Sequence, residues 1–217
     1  MCGIAGIYDP ASQRPADALA RLAMDMAAVL AHRGPDEGQT WADAATGAAF
    51  GFRRLAIQDV SPGGRQPMTS ASGRCTIAYN GEIYSSAEIR ARLGAAIPHY
   101  RGHSDTEVLL EACEAWGVER TLPHLIGMFA FALIERDSRR LWLVRDRMGI
   151  KPLYWTHWGA GIAFASELRG LRMLPGIATD IDRDALSSYV RHAYFPNPHT
   201  VYRGVQQLPP GHYLCIE

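Results

Sequence analysis

The sequence predicts an α+β domain in which a sheet lies between other layers. Two observations carry that reading. Met128–Ile134 is apolar at odd and even positions alike, and because successive strand residues point to opposite faces, such a strand is covered on both. The same run, Gly127–Glu135, leads through a charged RDSRR turn into a second apolar run, Leu141–Asp146, which makes an antiparallel hairpin, while other stretches carry helical spacing with their own caps.

Taken in order, residues 2–8 (CGIAGIY) read as a short buried strand. From about Asp17 to His32, Leu19, Leu22, Ala23, Met26 and Leu30 recur at helical spacing, and Gly34-Pro35 supplies a stop. A strand is expected around Ala49–Gln58, followed by a polar loop, SPGGRQP, at Ser61–Pro67. Cys75–Tyr84 reads as a strand broken by a turn at Asn80-Gly81. Ser85 with Glu88, and Ser104 with Glu107, have the spacing of capping boxes, the second helix closing at Gly117. A further strand is expected at Ile162–Glu167, and a helix from about Arg183 to His192 capped by Asp182. The last segment, 196–217, is proline-rich and then strand-like, and its apolar end stops in mid-pattern. The expectation is one domain over 1–217, with 196–217 leading to a C-terminal domain outside this chain.

Composition narrows the partners. Lys plus Arg (22) balance Asp plus Glu (22) in 217 residues, so no charge excess points to nucleic acid or an acidic membrane surface. Cys2, Cys75, Cys113 and Cys215 are scattered, without a CxxC pair or zinc-ligand spacing, so no metal site is expected. That cysteine usage suits a reducing cytoplasm. No basic leader and no 18-residue apolar run occur.

Several residues can carry chemistry together. A lone cysteine is ordinarily an inert core side chain, but with Met1 removed Cys2 carries its thiol beside a free α-amine of reference pKa about 7.7–8.0, which can serve as its base. Asn80 offers a side-chain amide donor and Gly81 an unhindered backbone N–H, a pair suited to a developing oxyanion; the plainer reading is a tight Asn-Gly turn. Arg54 could grip a carboxylate with its planar fork, and Glu82 and Asp105 could receive an ammonium, although singly each also fits a solvated charge or a helix-start preference. Combined, they describe a pocket for a zwitterionic amino acid whose side-chain amide reacts. His32 reads as a helix-end cap or packing group, Ser61-Pro62-Gly63-Gly64 lacks phosphate-loop spacing, and Arg145-Asp146-Arg147 reads as a structural ion cluster at a strand end.

These residues fall in ordered blocks: MCGIAG at 1–6, HRGPD at 32–36, RLAIQD at 54–59, QPM at 66–68, NGEIY at 80–84, SDTE at 104–107, GMFAFA at 127–132, RDRMGIKPLY at 145–154 and LPPGHY at 208–213. In this the chain resembles the N-terminal glutaminase domain of glutamine-hydrolysing asparagine synthetases, a class II glutamine amidotransferase, over essentially its whole length. The resemblance implies the four-layer αββα sandwich of N-terminal nucleophile hydrolases. It implies that Cys2 attacks the glutamine amide, releasing ammonia and leaving a γ-glutamyl thioester that water hydrolyses. Asn80 and Gly81 match the family's oxyanion pair, Arg54 the residue that binds the substrate carboxylate, and Glu82 and Asp105 those around its α-amine; the backbone of Leu55, Ile57 and Gln58 lines the same pocket by this analogy.

The resemblance implies no cofactor for this domain. ATP and Mg are expected only for a synthetase domain that aminates aspartate, and the Ser-Gly-Gly-x-Asp-Ser loop that binds ATP there does not occur in this chain. The partners expected are L-glutamine and the C-terminal synthetase domain of the same natural chain, with a homodimer left open and neither nucleic acid nor membrane. Two other acceptor readings stand beside this one: an asparagine synthetase-like amidotransferase with a different acceptor, and the glutaminase half of a sugar-phosphate or phosphoribosyl amidotransferase. The latter is disfavoured because those relatives carry His-Thr-Arg-Trp-Ala where this chain has Arg53-Arg54-Leu55-Ala56-Ile57. A third reading, an idle dimerisation or docking domain, is opposed by the joint presence of Cys2, Arg54, Asn80, Gly81, Glu82 and Asp105.

Overall fold

Strand β1 (Gly3–Tyr8) is buried along its whole length, and its two faces enter different cores. Ala5 and Ile7 meet Leu19, Ala23 and Met26 of helix α1 (Ala16–Ala28), whereas Ile4 and Tyr8 meet residues of a second sheet. The computed structural model that shows this describes residues 1–97 and 99–217. After α1 come strands β2 (Glu37–Asp43), β3 (Ala48–Arg54), β4 (Met68–Thr69) and β5 (Cys75–Ile83), then helices α2 (Ser86–Leu93), α3 (Asp105–Trp116) and α4 (Val118–Thr121). Strands β6 (Gly127–Glu135), β7 (Arg140–Arg145), β8 (Tyr154–Trp158) and β9 (Gly161–Ala165) follow, then α5 (Leu168–Leu171), α6 (Arg183–His192), β10 (Val205–Gln207) and β11 (Tyr213–Ile216).

The strands form two antiparallel sheets, one ordered β10-β8-β9-β1-β3-β2 and the other β11-β7-β6-β5-β4. Three cores separate four layers. One lies between α1 and the six-stranded sheet, and α1 comes so close that a Cβ on Gly51 of β3 would sit 2.1 Å from the Ala23 carbonyl. The middle core joins Ile4, Phe50, Phe52 and Phe164 of the first sheet to Ala78, Ala130, Ala132 and Leu143 of the second. The third packs Ile89 of α2 and Val108, Leu109 and Ala112 of α3 against Ile77, Tyr79, Phe131 and Leu133. This is the αββα sandwich, and β6 has the double cover that its sequence demands: Phe131 and Leu133 face the helices, Ala130, Ala132 and Ile134 the other sheet.

Several sequence expectations change. Asn80 and Gly81 are not a turn: β5 runs unbroken through them, paired with Ala130 and Phe129. The first helix stops at Ala28, and residues to Arg33 continue in tighter turns, Leu30 N–H to Ala27 O and Arg33 N–H to Leu30 O. Strand β3 ends at Arg54 rather than Gln58, and β9 at Ala165 rather than Glu167, because Ser166 and Glu167 turn their side chains to Ile4 and Arg33. Of the two expected capping boxes, the first does not form and the second loses its reciprocal half. Ser85 Oγ donates to the His124 carbonyl; Ser104 Oγ does cap the Glu107 N–H, but the Glu107 carboxylate accepts from the backbone of Arg101 and Gly102. Residues 196–217, proline-rich and then strand-like in the sequence, supply an edge strand to each sheet.

Candidate active site

Cys2 immediately precedes β1 and shares strand parity with Ile4, so its side chain packs on the middle core at the end of the gap between the sheets. Its Sγ lies against Leu55, donating to the carbonyl at 3.6 Å and accepting from the N–H at 3.4 Å. Burial pushes the thiol pKa above its ordinary value; the Leu55 contact, the N-terminal charge, Arg54 and Arg33 offset only part of that. A thiol so placed needs a base to become a nucleophile. Arg33 holds the residue's backbone: Nε donates to the Cys2 carbonyl at 3.0 Å and Nη1 to Glu167 at 3.0 Å. His32 also binds Glu167, at 2.9 Å, on the surface. It makes a surface tether where a helix-end cap or packing group was expected.

Arg54 closes β3 directly opposite Glu37, the first residue of β2. Its guanidinium is buried, with Nη1 on Glu37 Oε2 at 3.1 Å and Nη2 on the carbonyls of Asp59 and Ser61. The fork thus fixes the loop that carries Leu55, Ile57 and Gln58 past Cys2.

Strand β5 supplies the facing wall. Alternation turns Ala78 and Asn80 toward the intersheet gap and Tyr79 and Ile83 toward the helices. Asn80 is 1 % exposed, and its Nδ2 has no hydrogen-bond partner among the described residues. An unpartnered buried amide is costly, which marks it as a donor kept for something else. Beyond Ile77 the edge of β5 is free of β4. Along it the Tyr79 N–H goes to Gln66 Oε1 at 2.7 Å and the Ile83 N–H to Asp105 Oδ2 at 2.8 Å. Gly81 lies between them and shares their direction. Its register partner, Phe129, commits both backbone groups to Asp146, so the Gly81 N–H points off the open edge. Glycine is required there because a Cβ would lie 2.4 Å from the Met128 carbonyl.

Asp105, the first residue of α3, is buried and accepts the Tyr79 hydroxyl at 2.6 Å on the same Oδ2. Burial raises its pKa, and the bonds from Tyr79, Ile83 and Thr106 counter this only in part. Glu82 accepts Gln58 Nε2 at 3.1 Å. Cys2 and all eight residues expected around the substrate, Arg54, Leu55, Ile57, Gln58, Asn80, Gly81, Glu82 and Asp105, line one cavity, with Met1 at its wall.

Sequence reasoning missed Tyr79, Gln66 and Lys151, which line the same cavity, and gave Arg33 no role although it sits in the HRGPD block. The Arg145-Asp146-Arg147 triplet is not an ion cluster. Asp146 accepts four backbone N–H groups, those of Phe129, Met148, Ile150 and Lys151, while Arg145 and Arg147 donate to backbone carbonyls.

The glutamine amidotransferase domain model matches residues 1–217. The chain is 36% identical over 220 residues to asparagine synthetase [glutamine-hydrolyzing] 3 of Bacillus subtilis, and 39% identical over 237 residues to a putative asparagine synthetase [glutamine-hydrolyzing] of Mycobacterium bovis. All of this chain is covered in both comparisons, but it spans only 35% of the length of either relative. The solved glutamine phosphoribosylpyrophosphate amidotransferase of B. subtilis shares the fold, with a TM-score of 0.62 at 20% identity over 79% of this chain and 43% of that one. Among the described residues no helix is long and apolar enough to cross a membrane.

Proposed function

The chain belongs to the glutamine amidotransferase domain family, and from that membership we propose that Cys2, freed of Met1, cleaves the side-chain amide of L-glutamine. The α-amine of Cys2 takes the thiol proton, and the thiolate attacks the amide carbon. Asn80 Nδ2 and the Gly81 N–H hold the oxyanion; collapse expels ammonia, which leaves with a proton from the amine, and water then hydrolyses the thioester to glutamate. The observation that carries the reading is the unpartnered, buried Asn80 amide on the wall of the cavity that holds Cys2. Arg54 takes the substrate carboxylate with the N–H groups that Glu37 and the loop carbonyls leave free, and Asp105 and Glu82 take its ammonium.

The acceptor belongs to the longer protein. Relatives about three times as long are named asparagine synthetases, which supports delivery of the ammonia to a C-terminal half that uses ATP and Mg to aminate aspartate. The glutaminase step itself needs neither.

The test begins with intact mass, to select protein that starts at Cys2. That protein should release glutamate from glutamine and take up one equivalent of a glutamine analogue carrying an electrophile, with the added mass on residue 2. Cys2→Ala should lose both while keeping its thermal midpoint. Glutamate release at the wild-type rate by Cys2→Ala would sink the reading, and an absent adduct on processed protein would favour the idle module.

A further inference from the structure

The turn after β7 holds one side chain in place. Lys151 is fixed at both ends of its backbone: its N–H donates to Asp146 Oδ2 at 3.0 Å and its carbonyl accepts Arg145 Nε at 2.9 Å. Arg145 also binds the carbonyls of Gly149 and Leu208, so the turn is tied to the chain on both sides of it. Lys151 is 5 % exposed and lines the cavity of Cys2, Asn80 and Gly81. Among the described residues its ammonium makes no ion pair and no hydrogen bond.

Lysine side chains this buried are ordinarily paired; the stem of Lys151 is buried, while its ammonium opens into the cavity without a fixed counter-charge. Neither carboxylate nearby pairs with it. Asp146 is filled by four backbone N–H groups, and Glu82 accepts Gln58. Burial pushes the Lys151 pKa down and Arg33 adds to that; Asp146, Cys2 and Glu82 act the other way. The groups facing Cys2 are the N-terminal amine, Arg33 just after α1, Arg54 from β3, and Tyr79, Glu82 and Asp105 across the cavity. Of the cations, Arg33 is paired with Glu167 and Arg54 with Glu37. Lys151 alone of these three has no carboxylate of its own.

We propose that Lys151 is a positioning residue for the glutaminase step, its ammonium supplying the counter-charge to the Cys2 thiolate within the cavity. The role rests on the glutaminase reading. It gives a buried thiol, whose ionisation burial opposes, a cation that gains its partner only when the thiol proton has moved to the α-amine.

Lys151→Met keeps the length of the side chain and both backbone contacts while removing the charge; Lys151→Arg keeps the charge. On protein that starts at Cys2, alkylation of residue 2 by iodoacetamide is followed by peptide mass against pH, beside kcat and KM for glutamine. The midpoint of alkylation in Lys151→Met should move up by about one pH unit, with kcat at neutral pH down about tenfold and KM little changed, and Lys151→Arg should return the midpoint to that of the wild type. A purely structural side chain would lower rates without moving the midpoint. Should Lys151→Met not fold, Lys151→Gln gives the same measurement. Wild type and the neutral variant with superimposed midpoints, where the wild type takes up the glutamine electrophile at residue 2, would overturn the Lys151 role alone; a wild type that takes up none removes it together with the glutaminase reading.

Discussion

Tyr79 and Asp105 meet where sheet and helix join, the Tyr79 hydroxyl donating to Asp105 Oδ2 at 2.6 Å inside the protein. That oxygen also takes the Ile83 N–H, so one carboxylate ties β5 to the start of α3 while it faces the cavity. Tyr79→Phe removes the hydroxyl without changing the ring. Asp105 already has a pKa raised by burial, which the Tyr79 bond holds down in part. A substrate ammonium needs the carboxylate charged, so kcat/KM falls as pH falls through this raised pKa, and loss of the Tyr79 donor moves that acid limb to higher pH. Folding moves in the opposite sense: a carboxyl with a raised folded pKa contributes stability that is present at low pH and lost as pH rises. The variant should also lose about 1–2 kcal/mol of stability from the missing bond. An acid limb that stays in place in Tyr79→Phe would exclude Asp105 from substrate binding.

Asn80→Ala separates catalysis from folding. Because Nδ2 has no partner in the protein, its removal breaks no internal hydrogen bond from that atom. The loss of one oxyanion donor should lower kcat by about 10²–10³-fold with a thermal midpoint near that of the parent. A fall in stability with kcat unchanged would assign the amide to structure instead.

Legibility of the sequence tracked how local each interaction was. Gly127–Glu135 and Arg183–His192 were expected with the bounds they have, since one is apolar on both faces and the other carries its own cap, Asp182 accepting from Asp184 and Ala185. Strand β2, EGQTWAD, was not expected: it is an edge strand with no fully buried residue, so it has no alternation to read. Asn80-Gly81 looked like a turn because the dipeptide favours one locally, but pairing with Ala130 and Phe129 overrides that preference. Arg54, Glu82 and Asp105 read as a set because each lies in an ordered block, and the fold brings them to one cavity. Asp146 was read as an ion-pair member because its actual partners, backbone N–H groups spread from Phe129 to Lys151, leave no side-chain pattern.

Gly81→Ala tests the close approach of β5 to β6. The added Cβ would lie 2.4 Å from the Met128 carbonyl and 2.6 Å from Phe129 Cα, both backbone, so the strand must shift. A destabilisation of about 1–3 kcal/mol is expected in denaturant unfolding, and the displaced N–H should lower kcat beyond what the folded fraction explains. Parent-like stability and rate together would mean that the strands separate freely at this point.

Asp146→Asn asks how much one carboxylate contributes to the shape of the site. Oδ1 accepts the N–H groups of Met148 and Ile150, and Oδ2 those of Phe129 and Lys151. An amide offers one acceptor oxygen, so one of these pairs must face an NH2 that can only donate. Two bonds to a charged acceptor are lost and two donors are left open, a cost of about 3–5 kcal/mol at the usual strength of such bonds. Since the Phe129 N–H and the Lys151 N–H share Oδ2, loosening this point frees β6 beside Gly81 and the turn beneath Lys151 together. Chemical unfolding should show the loss, and hydrogen exchange should show the Phe129 and Lys151 amides losing protection before those of the middle core. If stability falls by less than about 1 kcal/mol, the range expected of one ordinary hydrogen bond, the four-bond arrangement is not what holds this end of the sandwich together.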